Sequence, residues 1–152
     1  MREITPNEAF SKAPPRHPAV LCIRAPGGGT DLIQVEWFNW LNTRRQPMIM
    51  YSMFRNAKYG TDLREDDPLV LTFPPAKMAS KYKEGFRVGD EDIESGKFPA
   101  GVELIRLAGI GVAVPADSQI VLVCTLGNAY NYPFKKVRIF NCNLEEAYSC
   151  ES

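Results

Sequence analysis

The segment Ile120-Val121-Leu122-Val123-Cys124-Thr125-Leu126 carries the strongest strand signal in the sequence. Its side chains are β-branched or apolar, and the run has the length of a buried strand rather than a helix. Gly127 and Asn128 end the run. Farther along, residues 136–142 alternate polar and apolar side chains, as a strand with one buried face does. These two segments predict a β-rich core in the C-terminal part of the chain.

Earlier strand-like segments come in hairpin-like couples and comprise residues 19–24, 32–38, 47–53 and 69–73. The turn between the first two contains Gly27, Gly28 and Gly29, which supply positive φ angles at no steric cost. A phosphate-binding loop would open a helix and carry a lysine and a hydroxyl, whereas a strand pattern follows here. Paired strands without intervening helices predict an antiparallel barrel rather than a doubly wound sheet.

One or two short helices are expected beside the strands, within a single domain that spans residues 1–152. Asn56 can cap a helix that would end before Pro68, because proline disfavours helical backbone in the residue that precedes it. Residues 76–83 are the second helix candidate, and a long polar connection follows them. Residues 1–15 are interpreted as a lead-in segment. The predicted fold class is therefore mainly β.

The charge balance argues against partners that bind by general electrostatic attraction. The formal net charge is zero, from 18 basic and 18 acidic side chains. We therefore expect neither a nucleic acid nor a membrane as a partner, and no apolar run approaches the ~18 residues that span a bilayer. The N-terminal segment lacks the apolar core of a signal peptide, so we expect a cytoplasmic protein.

Histidine and cysteine usage argues against metal and hydrolytic chemistry. His17 is the single histidine, which excludes a multi-histidine metal site and disfavours a hydrolytic triad. The cysteines form no C-x-x-C pair, so neither a zinc knuckle nor a redox dithiol is indicated. Cys22 and Cys124 lie in apolar runs and are interpreted as inert core thiols. The acidic runs 65–67 and 90–92 are interpreted as solvated surface.

The segment from Ser52 to Thr61 combines hydroxyl and cationic side chains directly after a predicted strand and at the start of a predicted helix. A phosphate binds well at such a place, because the backbone N–H groups at a helix start carry partial positive charge. Arg55 could donate two parallel hydrogen bonds, and Lys58 could act as a point charge. By residue types alone, an exposed polar turn with scattered charge remains the simpler interpretation.

Aromatic residues cluster in the segment Glu36-Trp37-Phe38-Asn39-Trp40. They could form the wall of a flat cofactor pocket. They could equally be core or dimer-interface residues. Because side chains alternate along a strand, Trp37 and Phe38 must point to opposite faces, so one of the two faces belongs to the core.

Taken in order along the chain, six segments resemble the flavin-reductase-like, FMN-binding split-barrel family, especially its flavoredoxin-type branch. The resemblance covers roughly residues 16 to 142. The segments that carry it are Arg16-His17-Pro18-Ala19-Val20-Leu21, Glu36-Trp37-Phe38-Asn39, Ser52-Met53-Phe54-Arg55-Asn56-Ala57-Lys58-Tyr59-Gly60-Thr61, Leu69-Val70-Leu71-Thr72-Phe73-Pro74, Gly85-Phe86-Arg87-Val88-Gly89-Asp90 and Leu122-Val123-Cys124.

This resemblance implies an antiparallel split β-barrel that forms a homodimer with FMN at the subunit interface. It implies that the loop from Ser52 to Thr61 holds the phosphate and that residues 36–39 lie beside the isoalloxazine ring. The cofactor-binding residues expected on this basis are Trp37, Phe38, Asn39, Ser52, Arg55, Lys58, Tyr59 and Thr61.

The implied activity is that of an FMN-binding oxidoreductase in which NAD(P)H passes a hydride to the flavin. No side chain need act as an acid or base, because the cofactor does the chemistry. One alternative is a flavin electron carrier without NAD(P)H activity. The other is a dimeric binding protein without flavin, and it is favoured by Glu36 and Gly60, which replace a serine and a threonine of the family pattern. Lys58 also departs from the pattern, because it replaces an arginine and so lacks bidentate geometry.

Overall fold

The computed structural model describes residues 1–13, 18–107, 109–133 and 136–150. A short 3-10 helix, Ser80–Tyr82, directly follows the second α-helix, Ala76–Ala79. The elements in chain order are β1 (Arg2–Ile4), α1 (Pro6–Lys12), β2 (Val20–Arg24), β3 (Thr30–Gln34), β4 (Trp37–Asn42), β5 (Met48–Phe54), β6 (Pro68–Thr72), α2 (Ala76–Ala79), β7 (Phe86–Val88), α3 (Asp90–Ser95), β8 (Leu104–Arg106), β9 (Ala113–Pro115), β10 (Ile120–Asn131) and β11 (Val137–Ser149).

The main sheet is antiparallel and closes on itself. Its strand order is β4-β5-β11-β10-β6-β2-β3-β7, with β1 paired to β11. Only Val35 and Glu36 separate β3 from β4. The N–H of Val35 donates to the carbonyl of Ala19 beside β2, and the N–H of Glu36 donates to the carbonyl of Ser52 in β5. The chain therefore passes directly from β3, next to β7 at one end of the sheet, into β4 at the other end, and this bend closes a barrel, which confirms the predicted mainly β, antiparallel fold class.

Two apolar clusters share the strands between them. Along β2, Leu21 points into the barrel, whereas Val20 and Cys22 point outward into a second cluster under α2, α3 and the β8–β9 hairpin. Along β10, Leu122 likewise points into the barrel, whereas Val121 points outward into the second cluster. Strands that are covered on both faces read as unbroken apolar runs. This is why the segment 120–126 shows no polar alternation.

The structure has no helix from Asn56 to Asp66, so that prediction is wrong. The backbone there forms turns and extended segments. The N–H of Ala57 donates locally to the carbonyl of Phe54, and the N–H of Asp66 donates to the carbonyl of Leu126 in β10. Gly60 has φ +81°, which an α-helix cannot accommodate. The segment also lacks the apolar stripe that holds a surface helix to its core.

The other helix expectations have different outcomes. The helix predicted at 76–83 is confirmed as α2 and the 3-10 helix. The lead-in segment contains β1 and α1, where the hydroxyl of Thr5 caps the helix by accepting from the N–H of Glu8. The long polar connection after residue 83 contains β7 and α3. The described chain thus holds three short α-helices, rather than one or two.

The hairpin expected at Gly27 to Gly29 is confirmed as the β2–β3 turn, and all three glycines have positive φ. Gly29 (φ +88°) lies against β7, where an added Cβ would come within 2.5 Å of the carbonyl oxygen of Val88. Gly27 (φ +80°) has open space around it. The two positions share a strained backbone conformation but differ in room for a side chain.

This difference predicts unequal costs for alanine. Gly27→Ala should destabilise the protein by about 1–2 kcal/mol from its backbone conformation alone. Gly29→Ala should cost a further ~1–3 kcal/mol, because the backbone of β7 must move. Urea unfolding followed by circular dichroism measures both. Equal losses in the two variants would contradict the close approach of β7.

Asp90 joins this turn to two other elements. Arg24 donates to both of its carboxylate oxygens at 2.9 Å, and Arg106 and the N–H of Gly29 donate at 3.2 and 3.1 Å. These hydrogen bonds, foremost the pair from Arg24, lower the pKa of Asp90 to about 2. Asp90 is therefore a structural anchor, in contrast to the solvated surface expected for residues 90–92.

A carboxylate whose pKa is depressed by folding stabilises the protein above its unfolded pKa of about 3.9, and that contribution disappears as the pH falls toward 2. Asp90→Asn should therefore lower the urea midpoint at pH 7, and the gap to the wild type should narrow between pH 4 and pH 2. Asp92→Asn, on the same helix, is the matched control and should show little effect. A gap that stays constant down to pH 2 would refute this role.

Candidate functional site

The aromatic cluster divides between the two faces of β4. Phe38 lies inside the barrel, in edge-on contact with Trp40 and Phe73 at ring-centroid distances of 5.8 and 5.0 Å. Trp37 lies on the outer face and is 45% exposed. The side-chain oxygen of Asn39 accepts from the N–H of Trp40 at 2.9 Å. Two of the three aromatic rings are thus core residues, and Trp37 is the ring presented at the surface.

Trp37 belongs to an apolar row on the outer face of the barrel. Strand register places it opposite Ser52, which lies opposite Ile139, which lies opposite Tyr130. Residues directly opposite each other in an antiparallel sheet share a face. Ser52 is buried within this row. The outer face of β4, β5 and β11, including exposed Phe54, therefore presents aromatic and aliphatic side chains to solvent.

Arg55 is tied to the hairpin that connects β10 to β11. Its Nη2 donates to the carbonyl of Tyr132 at 2.5 Å, and its Nε donates to the carbonyl of Val137 at 3.4 Å. Its backbone N–H donates to the carbonyl of Lys136 at 2.9 Å. These contacts hold the loop after β5 against the hairpin. Because no helix begins near Asn56, backbone N–H groups at a helix start cannot assist a phosphate here.

Tyr59 lies half-buried between two cations. The Nζ of Lys58 lies 5.3 Å from its ring centroid, and the guanidinium carbon of Arg87 lies 5.7 Å from it. Arg87 in turn pairs with the buried carboxylate of Asp31 at 2.6 Å. An added Cβ on Gly85 would come within 2.8 Å of the Tyr59 ring. Tyr59 therefore packs the loop after β5 against the turn before β7.

Two clefts flank this loop. The first, named here the β3–β5 cleft, has a volume of about 700 Å³ and lies between the bend joining β3 to β4, the start of the loop and the turn before β7. It is lined by Ile33, Gln34, Val35, Glu36, Met53, Phe54, Asn56, Ala57, Lys58, Lys83 and Glu84. The lining combines apolar and polar residues and includes two lysines and two glutamates.

The second, named here the arginine cleft, has a volume of about 600 Å³. It is lined by Arg55, Thr61, Asp62, Leu63, Arg64, Asn131 and Arg138. The residues expected to hold one phosphate are therefore divided, because Lys58 lies in the β3–β5 cleft while Arg55 and Thr61 lie in the arginine cleft. Trp37, Phe38, Asn39, Ser52 and Tyr59 line neither of these two clefts.

Sequence reasoning missed the turn that brings Lys83 and Glu84 to the β3–β5 cleft. Gly85 ends this turn with φ +74°, and its N–H donates to the carbonyl of Tyr82. A Cβ at Gly85 would crowd Ile33 at 3.1 Å, so the turn packs directly on β3. The nearest sequence signal is the segment 85–90, which resembles a family loop. That resemblance does not extend to Lys83 and Glu84, the two charged residues before it.

Buried thiols contribute little chemistry. Cys22 and Cys124 are buried, as expected for core thiols. Burial raises the pKa of Cys22 to about 12 and raises that of Cys124 as well, so neither forms a nucleophilic thiolate near neutral pH.

Within the described residues, no group of three or more histidine, cysteine, aspartate or glutamate side chains could hold a metal ion. His17 lies outside the described residues.

No described helix is long and apolar enough to cross a bilayer. No protein-family model matches the chain, and no curated protein matches it significantly in sequence.

Solved structures, by contrast, match almost the whole chain. Flavoredoxin from Methanosarcina acetivorans superimposes with a TM-score of 0.64 at 18% identity, covering 90% of this chain and 70% of its own. The flavin reductase HpaC, solved in complex with NADP+, gives a TM-score of 0.66 at 14% identity, with 96% and 86% covered. An FMN-binding protein from Thermus thermophilus gives 0.66 at 15%, with 91% and 74% covered. The chain therefore has the flavin-reductase-like split-barrel fold.

Proposed function

We propose that the protein binds FMN in the β3–β5 cleft and works as an oxidoreductase that draws electrons from NAD(P)H. The observation that carries the proposal is a cleft of cofactor size, lined by both apolar and polar side chains with Lys58 and Lys83 among them, in a fold shared with flavin reductases. One structural neighbour is an FMN-binding protein and another was solved with NADP+, which supports both nucleotides as ligands.

The residues of the β3–β5 cleft fit a flavin. Its volume of about 700 Å³ lies within the range of small-molecule sites. The core residues Ile33 and Val35 lie behind the cleft, and exposed Phe54 offers an aromatic surface to a flat ring. Gln34 can donate and accept hydrogen bonds at the ring's polar edge. When bound, the flavin supplies the redox chemistry, and the protein needs no acid or base of its own.

Lys58 is the cation we assign to the FMN phosphate. It lies on the cleft, is exposed, and is held near the Tyr59 ring, so its ammonium group is already placed where a phosphate can reach it. Lys83, also on the cleft lining, adds a second positive charge. The carboxylates of Glu36 and Glu84 face the same space and oppose an anion. Modest affinity and exchange of FMN with solution are the expected result.

The homodimer implied by the family resemblance would use the outer face of β4, β5 and β11. Trp37, Leu41, Phe54 and Tyr130 on or beside this face are each 45–49% exposed. Large contiguous apolar patches on a soluble protein mark interaction sites. The face also adjoins the β3–β5 cleft, because Phe54 belongs to both. A partner subunit seated there would add a further wall to the flavin site.

Glu36 supports a second candidate, a dimeric binding protein without flavin. Its carboxylate on the cleft wall disfavours an anion at that point. Absorbance spectra after desalting, with and without added FMN, decide between the candidates. Shifted flavin bands that remain with the protein, together with NAD(P)H oxidation, support the oxidoreductase. Shifted bands without NAD(P)H oxidation indicate an electron carrier, and an unchanged spectrum indicates the binding protein.

Lys58→Gln should weaken FMN binding about 10- to 100-fold, because a charge-assisted hydrogen bond contributes about 1.5–3 kcal/mol. Titration of FMN fluorescence with protein measures the change. Lys77→Gln, an exposed lysine of α2 away from the cleft, is the control and should bind FMN as the wild type does. Wild-type affinity in the Lys58 variant would remove the phosphate assignment.

Trp37→Asp should convert the dimer to a monomer. Burying an unpaired charge at the centre of an interface costs at least about 2 kcal/mol, which raises the dimer dissociation constant at least about 30-fold. Sedimentation velocity over a concentration series measures it. Ile105→Asp is the matched control, because Ile105 is 40% exposed but lies on β8 away from this face. A wild type that sediments as a monomer would refute the interface.

A further inference from the structure

A third cleft shares no lining residue with the two clefts beside the loop after β5. One of its walls is α2 with the 3-10 helix that follows, and the other is the chain on either side of the β8–β9 hairpin. Its volume is about 580 Å³. This cleft, named here the tyrosine cleft, is lined by Met78, Tyr82, Gly101, Val102, Glu103, Ala116 and Asp117.

The tyrosine cleft lies over the second apolar cluster. The ring of Tyr82 is buried in that cluster and stacks on Phe86 at a ring-centroid distance of 5.4 Å. Met78, Val102 and Ala116 are half-buried, so each leaves part of an apolar side chain in contact with the cleft. A ligand in the cleft would therefore meet thioether and aliphatic surface.

Tyr82 has a hydrogen-bonding group that the protein leaves unused. The residue is 2% exposed, yet its hydroxyl has no hydrogen-bond partner among the described residues. Burial, followed by the proximity of Cys22 and Asp117, raises the pKa of this hydroxyl. Cys22 belongs to the apolar cluster and Asp117 to the cleft lining, so the hydroxyl lies where the cluster meets the cleft. Because buried tyrosine hydroxyls normally find a partner, this one calls for a ligand.

Glu103 and Asp117 bring two negative charges to the same cleft. The N–H of Ala116 donates to the carbonyl of Glu103 at 2.8 Å, so Glu103 and Asp117 stand on neighbouring segments of the chain. Both residues are exposed, and neither carboxylate forms an ion pair within the part of the chain that the structure describes. Neighbouring carboxylates disfavour each other's charge unless a cation lies close to both.

Lys81 is a cation beside the cleft that is engaged by another group. Its Nζ donates to the carbonyl of Gly101 at 2.9 Å, which ties the 3-10 helix to the chain before β8. This contact holds the two walls of the cleft together. With Lys81 included, two carboxylates and one ammonium group leave the cleft with a net negative charge.

We infer that the tyrosine cleft binds an organic cation, namely a protonated amine joined to an apolar body. An ammonium group has three donors, and the carboxylates of Glu103 and Asp117 and the hydroxyl oxygen of Tyr82 supply three acceptors. The apolar body would cover Met78 and Val102. A Ca²⁺ ion fits less well, because it takes about six to eight oxygen ligands. The inference does not depend on flavin binding in the β3–β5 cleft.

Titration of the ¹⁵N-labelled full-length protein with 2-phenylethylamine at pH 7 and low ionic strength tests the site. The amine is protonated at this pH, as a lysine side chain is. Amide chemical shifts should change at residues 78–82, 101–103 and 116–118, with a dissociation constant on the order of 1 mM. The uncharged analogue 2-phenylethanol, which keeps the ring, should bind at least about 5-fold more weakly.

Variants of the lining separate the contributions. Asp117→Asn and Glu103→Gln should each weaken amine binding at least about 2-fold, and the double variant at least about 5-fold. Tyr82→Phe keeps the ring in the apolar cluster, removes only the hydroxyl, and should weaken binding about 2- to 10-fold. Asp92→Asn removes an exposed carboxylate outside the cleft and should bind the amine as the wild type does.

The carboxylates of Glu103 and Asp117 are exposed, so their variants keep the test decisive if Tyr82→Phe fails to fold. Absence of saturable shifts in the wild type would overturn the inference, and so would equal affinity for 2-phenylethanol. Undiminished binding in the double variant would also overturn it. Shifts centred on the β3–β5 cleft, which contains Glu36 and Glu84, would assign the amine to that cleft and count against this site.

Discussion

The architecture depends on one bend in the backbone, at Val35 and Glu36. Their two amide groups donate to strands on opposite sides, so a single strand pairs with β2 before the bend and with β5 after it. A sheet without this change of partner would be left with open edges, which proteins must otherwise protect. The bend also creates a concave surface, and the β3–β5 cleft lies directly against it. Barrel closure and the candidate cofactor site therefore have the same cause.

The strands could be predicted from the sequence because their side-chain pattern is local. Periodicity and apolar runs located β2, β5, β6 and the first parts of β10 and β11, and Gly27 to Gly29 marked the first hairpin. The single strand predicted at 32–38 is divided between β3 and β4, and the strand end predicted at Gly127 is wrong, because β10 continues to Asn131. The failed helix at 56–66 shows the limit. A cap residue and a following proline were present, but the backbone of that loop bonds to β10. Such a tertiary partner leaves no local signal.

The candidate site was only partly predictable for the same reason. The segment 52–61 was predicted to gather its cations around one phosphate, yet in the structure these cations lie in two different clefts. Spacing along the chain could not reveal that Arg55 turns toward the β10–β11 hairpin while Lys58 turns toward β3. Spacing also could not reveal that Arg138 lines the arginine cleft. Arg138 is one basic residue in an alternating strand, and its position follows from the register of β11 with β5.

The second apolar cluster covers only one side of the barrel. Strands β2, β6 and β10 are enclosed on both faces, whereas β4, β5 and β11 leave an outer face in contact with solvent. Tolerance to substitution should therefore differ sharply around the circumference. On the enclosed side the buried positions on both faces accept only side chains of matched volume. On the other side the outward-facing positions lie outside the barrel core, so substitutions there alter what the surface can contact without disturbing the barrel.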